Sequence, residues 1–442
     1  MSFFDRIFSK KSQSADTLCY EASFGRYTDA YKSDAQFEAW DRAIEQFEQQ
    51  EYRKSLLDFI EYIKNPEGSN IILHSEQPVS FDMLQGSKTI ECRLKSGVVF
   101  VECRIAAVSE MNIGFMRRLL DLNYELKYVR YGLTEDRVVV LRFDTPLTDA
   151  SPYKLYFALK ELSIHADKQD DLLLQEFSFL HPVRSGKIEP ALPAEADHKL
   201  AFFRSAIDKA FHLVDHGKLK TEQYPAATGY ILLAAMYKLD YLIRPEGGLV
   251  DRIEQIHKSY FAQDQKNIQL KLKHLRQEMV KLRQMSDDDL KAEIYHTIST
   301  FGITTPATLP VLHELIDRET QSIQWYIDQE YNEYALGMVE YIAGFSLFNF
   351  ALPLPAKDLL HLIFRVTEAE FFKNIKGNQT LYDRGKISKA AVRAELNRLE
   401  SIHQKKYLAL AFDHKKLRYD SPLTFAYGIL QMVRGLQLQK AR

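Results

Sequence analysis

Residues 89–104 read Thr89-Ile90-Glu91-Cys92-Arg93-Leu94-Lys95-Ser96-Gly97-Val98-Val99-Phe100-Val101-Glu102-Cys103-Arg104. Apolar and charged residues alternate on both sides of Ser96-Gly97, the pattern of two half-buried strands joined by a tight turn. A two-residue turn sets Leu94 opposite Val99, Cys92 opposite Val101 and Ile90 opposite Cys103. Those residues then face one way, and Glu91, Arg93, Glu102 and Arg104 face the other, so register and pattern agree. An antiparallel sheet with one wet and one covered face follows. Cys92 and Cys103 fall on the covered face as small core residues rather than reactive thiols.

Upstream of this hairpin, the interval 34–63 has helical spacing. Phe37, Trp40, Ile44 and Phe47 mark one stretch, and Leu56, Phe59, Ile60 and Ile63 a second. Asn65-Pro66-Glu67-Gly68 stops it, and Ile71-Ile72-Leu73 reads as a short strand. Downstream, Ile113, Met116, Leu119 and Leu120 are expected to cover the sheet from a helix that stops at Asn123. Strands follow near residues 127–133 and 137–143, turning at Glu135-Asp136. Ser151 as N-cap and Pro152 at the first helical position open a last helix through Leu155, Leu159, Leu162 and Ala166, extended by Leu173 and Phe177. The expected order over residues 34–180 is helix, three strands, helix, two strands, helix.

Within that order, Asn112-Ile113-Gly114-Phe115-Met116-Arg117-Arg118-Leu119-Leu120-Asp121-Leu122-Asn123 runs into Tyr131-Gly132-Leu133 and the strand Val138-Val139-Val140-Leu141. Residues 50–180 thereby resemble the type III secretion chaperone-like fold and the bacterial sensory-regulator domains that share it. The resemblance covers less than a third of the chain. It implies an α+β sandwich, homodimerisation, and protein binding without catalysis, and it carries no catalytic residue over. The chain departs from that family in its long helical extension.

Residues 181–196, with Pro182, Gly186, Pro190 and Pro193 and no helical period, read as a linker. From residue 197 to 442 about ten helical patterns and no strand are expected, with breakers at Gly217, 244–248, 302–310, 352–355, 377–385 and Ser421-Pro422. Their uneven spacing argues against a solenoid repeat. The fold class expected is an α+β domain at 34–180 followed by an all-α region at 197–442, preceded by an extension at 1–33.

The chain has 442 residues, 46% of them hydrophobic, and a formal net charge of -2 from 58 basic and 60 acidic side chains. That balance suits a globular protein and argues against a dedicated nucleic-acid binder. Three cysteines and no CxxC pair point to reduced thiols in a cytoplasmic protein. Asp5 and Arg6 interrupt the apolar N-terminus, which is therefore no signal peptide, and no uncharged run approaches the ~20 residues of a membrane span. Phe3, Phe4, Ile7 and Phe8 share a helical face, which could dock a partner or simply pack on its own domain.

Two Glu-x-x-His pairs, Glu254 with His257 and Glu400 with His403, have the spacing used by di-iron carboxylate bundles, with Glu222 and Glu368 upstream. The first half fails on distance: an antiparallel hairpin turning near Gly247-Gly248 separates Glu222 from Glu254 by about 25 Å. His212 and His216 stand at i, i+4, and His313-Glu314 precedes Asp317, but the zinc-protease order is absent from both. Asp287-Asp288-Asp289 after Ser286 reads as a capped helix start. The basic stretch 266–283 carries Ile268, Leu272, Leu275, Met279 and Leu282 as a packing face. P-loop, GxGxxG and GxSxG elements are missing. The reading is a non-enzymatic protein-interaction or chaperone-like protein without cofactor, binding a protein partner or itself as a homodimer. Trp325, Tyr326, Tyr331, Tyr334 and Tyr341 offer a second, aromatic surface. The alternatives are an enzyme or metal protein with a helical pocket at Glu368, Glu400 and His403, and a dimeric scaffold.

Overall fold

The computed structural model describes residues 20–183, 185–375, 379–408 and 410–440. Phe3, Phe4, Ile7, Phe8 and Cys19 lie outside the described residues. An α+β front region is followed by a largely helical one.

The front region begins with α1 (Asp34–Glu48) and α2 (Tyr52–Ile63). Ser33 and Gln36 close a reciprocal capping box on α1. Strands β1 (Ile71–Glu76), β2 (Val79–Gln85), β3 (Lys88–Lys95) and β4 (Val98–Val108) lead to α3 (Ile113–Glu125). Then come β5 (Arg130–Leu133), β6 (Val138–Pro146), α4 (Pro152–Glu176) and β7 (Leu180–Pro182). The sheet order is β1-β2-β3-β4-β6-β5, antiparallel throughout. β4 outruns β3, so Ala106, Ala107 and Val108 pair with β7 instead. Leu94 sits opposite Val99 and Cys92 opposite Val101. Ser96 and Gly97 both have positive φ (51° and 75°), the turn that matches strand twist.

Two expectations need correcting. The first strand pairs with a further strand, β2, whose Val79, Phe81 and Met83 alternate inward. On α3 the buried residues are Phe115, Leu119 and Leu122, while Ile113, Met116 and Leu120 face out. Ser151 caps α4 as read. Helices α2, α3 and α4 share one core with the covered face of the sheet, joining Phe59, Ile90, Val101, Phe115, Leu141 and Leu162. The wet face carries cross-strand ion pairs, Arg142 to Glu102 and Arg130 to Asp144.

The helical region comprises α5 (Pro193–His216), α6 (Pro225–Lys238), α7 (Gly247–Phe261), α8 (Ile268–Gln284), α9 (Asp287–Ala292), α10 (Leu309–Thr320), α11 (Ile323–Asp328), α12 (Asn332–Asn349), α13 (Leu354–Thr367), α14 (Ala369–Phe372), α15 (Lys389–His403) and α16 (Pro422–Arg434). Two-residue strand pairs also occur there, among them Thr305-Pro306 with Phe350-Ala351, where no strand was expected. α6 and α12 are apolar nearly all round and form the centre. They approach closely because Gly344 faces Tyr237: a Cβ added there meets the ring's own Cβ at 2.7 Å. α8 packs inward through Leu272, Leu275, Met279 and Leu282. No helix among the described residues is long and apolar enough to cross a membrane.

The two regions interlock. Phe301, from the helical region, is 2% exposed and belongs to the core of the front region. Gln85 holds it there: its side-chain oxygen accepts from the N–H of Thr300 and Phe301 (3.1 and 3.0 Å), and its amide donates to the Phe301 carbonyl (3.2 Å). Asp29 accepts from the Tyr156 hydroxyl (2.9 Å) and the Gly302 N–H (2.9 Å), tying the irregular segment 20–33 to both sides. Within the interval 181–196, Ser185 bonds Thr89 and Pro193 opens α5.

Candidate functional site

The titratable pairs picked out by spacing find partners far along the chain. Glu254 and His257, on α7, line a cleft of about 530 Å³ between the two regions. Glu254 accepts from Arg26 (2.9 Å) and from Lys168 of α4 (2.9 Å). Arg26 also grips Asp240 at 2.7 Å and lies 3.9 Å above the Phe348 ring. Burial opposes the charge on Glu254, but Arg26 and Lys168 outweigh it and hold the carboxyl at about 2. Burial, with Arg26 nearby, pushes His257 down to about 4, and its Nδ1 lies 2.8 Å from the Tyr237 hydroxyl. At neutral pH this is a charged network with a neutral imidazole, and it fastens α4 and the 20–33 segment onto α7.

A second cavity, about 680 Å³, lies among α5, α6 and α12 and reaches the end of α13. At its base Lys238 donates to Glu368 (2.6 Å) and Glu340 (2.9 Å). Burial opposes the ammonium, yet the two carboxylates more than compensate and raise its pKa above the ordinary lysine value. The His212 and His216 rings sit at the mouth, centroids 5.0 Å apart. The remaining members of the proposed pocket are engaged separately. His403 Nε2 is 2.7 Å from Asp358, and Glu400 accepts the backbone N–H of Phe412. Glu368, Glu400 and His403 therefore each serve a different neighbour. Among the described residues no group of three His, Cys, Asp or Glu side chains is placed to hold a metal ion. His313 bonds the Val433 carbonyl at 3.1 Å. Cations of the basic helix α8 are also matched: Arg276 to Asp215 and Arg283 to Asp208, both at 2.7 Å.

Of the aromatic set, Tyr326, Tyr334 and Tyr341 are buried, and Tyr334 is fixed by Leu219 N–H and the Leu213 carbonyl. Trp325 is exposed, stacked on Tyr224 at 5.9 Å.

The most conspicuous surface lies on α3, at the sheet edge beside β5. Asn112 caps the helix through the Phe115 N–H (2.8 Å), and Asn123 binds both the N–H and the carbonyl of Tyr131 (2.6 and 3.3 Å). Glu161 of α4 accepts from the N–H groups of Lys127, Tyr128 and Val129, which sets the exit loop. The helix is thus rigidly mounted with Phe115 inward against Phe177 and Phe179. Its other face shows Ile113 (73% exposed), Met116 (40%), Leu120 (66%) and Tyr124 (94%), one continuous apolar stripe. Arg117 and Asp121 flank it, exposed and without an ion pair among the described residues.

Spacing alone could not separate the two faces of α3, because both are apolar. It also passed over Lys238, although a lysine closing so apolar a helix as α6 was a readable sign of a buried ion group. The sequence matches no family model and no curated protein.

Proposed function

We propose that this chain is a non-catalytic interaction protein whose front region pairs with a second copy of itself through α3. The observation that carries the reading is the stripe from Ile113 to Tyr124, rigidly held and open to solvent. Met111 and Tyr128, at the two ends of the helix, are exposed as well, and an apolar helix face of this length is the kind of surface that protein interfaces cover. The stripe is also self-complementary. Two α3 helices laid antiparallel across a two-fold axis set Ile113 of one against Tyr124 of the other, and Met116 against Leu120. The same alignment sets Arg117 against Asp121, giving each exposed charge a partner. The resemblance of residues 50–180 to secretion-chaperone-like domains supports a binding role rather than catalysis. Three cysteines in 442 residues and no CxxC pair suit a reducing, cytoplasmic setting.

Light scattering on the purified chain tests this. A particle of twice 51.3 kDa is expected at micromolar concentration, falling to one folded chain, with the wild-type circular dichroism spectrum, in Leu120→Glu. A wild-type chain that stays single, or a Leu120→Glu variant that still pairs, removes the proposal.

A further inference from the structure

A third cavity, about 690 Å³, opens on the surface where the start of α12 meets the start of α16. Ile327, Leu336, Leu423 and Tyr427 line it with apolar surface, and three of these four remain partly open to solvent. One wall carries Lys415 and Arg418. Both are exposed, and neither side chain makes a hydrogen bond or ion pair among the described residues. They differ in this from their neighbour Lys416, whose ammonium is spent on the Gln431 carbonyl at 2.9 Å. They differ also from most arginines of the helical region, such as Arg276, Arg283, Arg365 and Arg434, which lie 2.7 Å from an acid. Glu333, from the first turn of α12, lines the groove as well, likewise without an ion pair among the described residues.

We infer that this groove is a binding site for an apolar carboxylic acid, with the aliphatic or aromatic body over Leu336 and Tyr427 and the carboxylate between Lys415 and Arg418. The volume falls within the ~300–1,000 Å³ of small-molecule sites, and the lining combines apolar side chains, Ile327, Leu336, Leu423 and Tyr427, with polar and charged ones. Arg418 supplies a planar fork suited to a carboxylate, and Lys415 a second point charge. Glu333 fixes the sign of the orientation: it repels the acid group from its own wall and rejects a second negative charge at the far end of the ligand. The inference is independent of pairing through α3, which uses the other region of the molecule.

The experiment is a displacement titration on the full chain. Anilinonaphthalene sulfonate, an anionic aromatic probe, is bound first and followed by its fluorescence. It is then displaced with dodecanoate below its micellar concentration, and in parallel with dodecanol and dodecyltrimethylammonium. Dodecanoate is expected to displace the probe from one saturable site, with the neutral and cationic chains weaker by about tenfold or more. Lys415→Glu/Arg418→Glu, both changes at exposed positions, is expected to lose the dodecanoate advantage while keeping the wild-type melting temperature. Glu333→Gln is expected to admit a dicarboxylate of similar length that the wild type rejects. Equal displacement by all three chains, or unchanged dodecanoate binding in the double variant, overturns the inference.

Discussion

The two regions keep polar groups in opposite ways. In the front region most charge stays on the wet face of the sheet, where Arg142 meets Glu102; the exception is Lys88 of β3, fully buried beside the apolar core with its ammonium donating to the carbonyls of Ile105 and Val183 (3.0 and 2.8 Å). In the helical region charge goes inside. Lys238 lies between Glu340 and Glu368, Lys199 is 2.8 Å from Glu195, and Arg365 is 2.7 Å from Glu395, all largely buried. A sheet covered on one side has a solvated face on which to keep its ions. Helices packed nearly all round, as α6 and α12 are beyond their first turns, have none, so a charged residue on their buried stretches needs a buried partner. The same contrast explains why the front region can leave an apolar face free: α3 is a cover for the sheet on one side only.

The largest effect is expected from Val101→Asp, which puts an unpaired charge on the covered face and should cost at least ~4 kcal/mol, enough to unfold the front region. Glu102→Lys, one residue on and on the wet side, should cost no more than ~1 kcal/mol, since its pair with Arg142 is exposed. Thermal melts of the two variants check this, and equal melting temperatures would contradict the division of the sheet into faces. Lys238→Met leaves two buried carboxylates facing each other and is expected to cost about 3–5 kcal/mol. Replacing all three groups, as Lys238→Met/Glu340→Gln/Glu368→Gln, should recover much of that loss, a result visible in urea titrations. Phe301→Ala is expected to cost about 3–5 kcal/mol as well. Hydrogen exchange should show the loss in the amides of β2 and β3 rather than in α10, because Phe301 packs with the sheet.

A smaller effect follows from pH at the seam. His257 is depressed from 6.5 to about 4 in the fold, so its contribution is complete above pH 6.5 and drains as pH falls toward 4. Glu254 is depressed from 4.5 to about 2, so its contribution is present above 4.5 and is lost as pH falls toward 2. Both slopes have the same sign, and stability should fall in two steps on acidification. The Glu254 step is on the order of 2–3 kcal/mol. His257→Gln should flatten the step between pH 6.5 and 4 and leave the lower one, as read from denaturant midpoints across pH.

Much of the front region was readable because its signals are local. The period-two run from Ile90 to Cys103 and the Ser96-Gly97 turn specify pairing within sixteen residues, and Ser151-Pro152 marks a helix start by itself. β2 carries the same kind of signal in Val79, Phe81 and Met83, but Pro78 directly before it reads as a breaker and masks the strand. What could not be read was held together from a distance. Phe301 sits in a stretch with no period, and only its docking against Gln85 reveals it as a core residue. Glu254 and His403 have a spacing that suggests ligands, yet their partners Arg26 and Asp358 lie 228 and 45 residues away. On α3 the ambiguity was physical, since Phe115, Leu119 and Leu122 make one apolar face and Ile113, Leu120 and Tyr124 another.

That second face is the centre of the account, and charge reversal across it is the sharpest test. Sedimentation equilibrium should be run on wild type, Arg117→Asp, Asp121→Arg and the double variant at one concentration where the wild type pairs. The proposed antiparallel pair would set Arg117 against Asp121 twice. Each single variant should therefore drop toward the mass of one chain, and the double variant should return to the mass of two. A double variant no better than the singles, or singles that pair as well as wild type, would contradict self-association through α3.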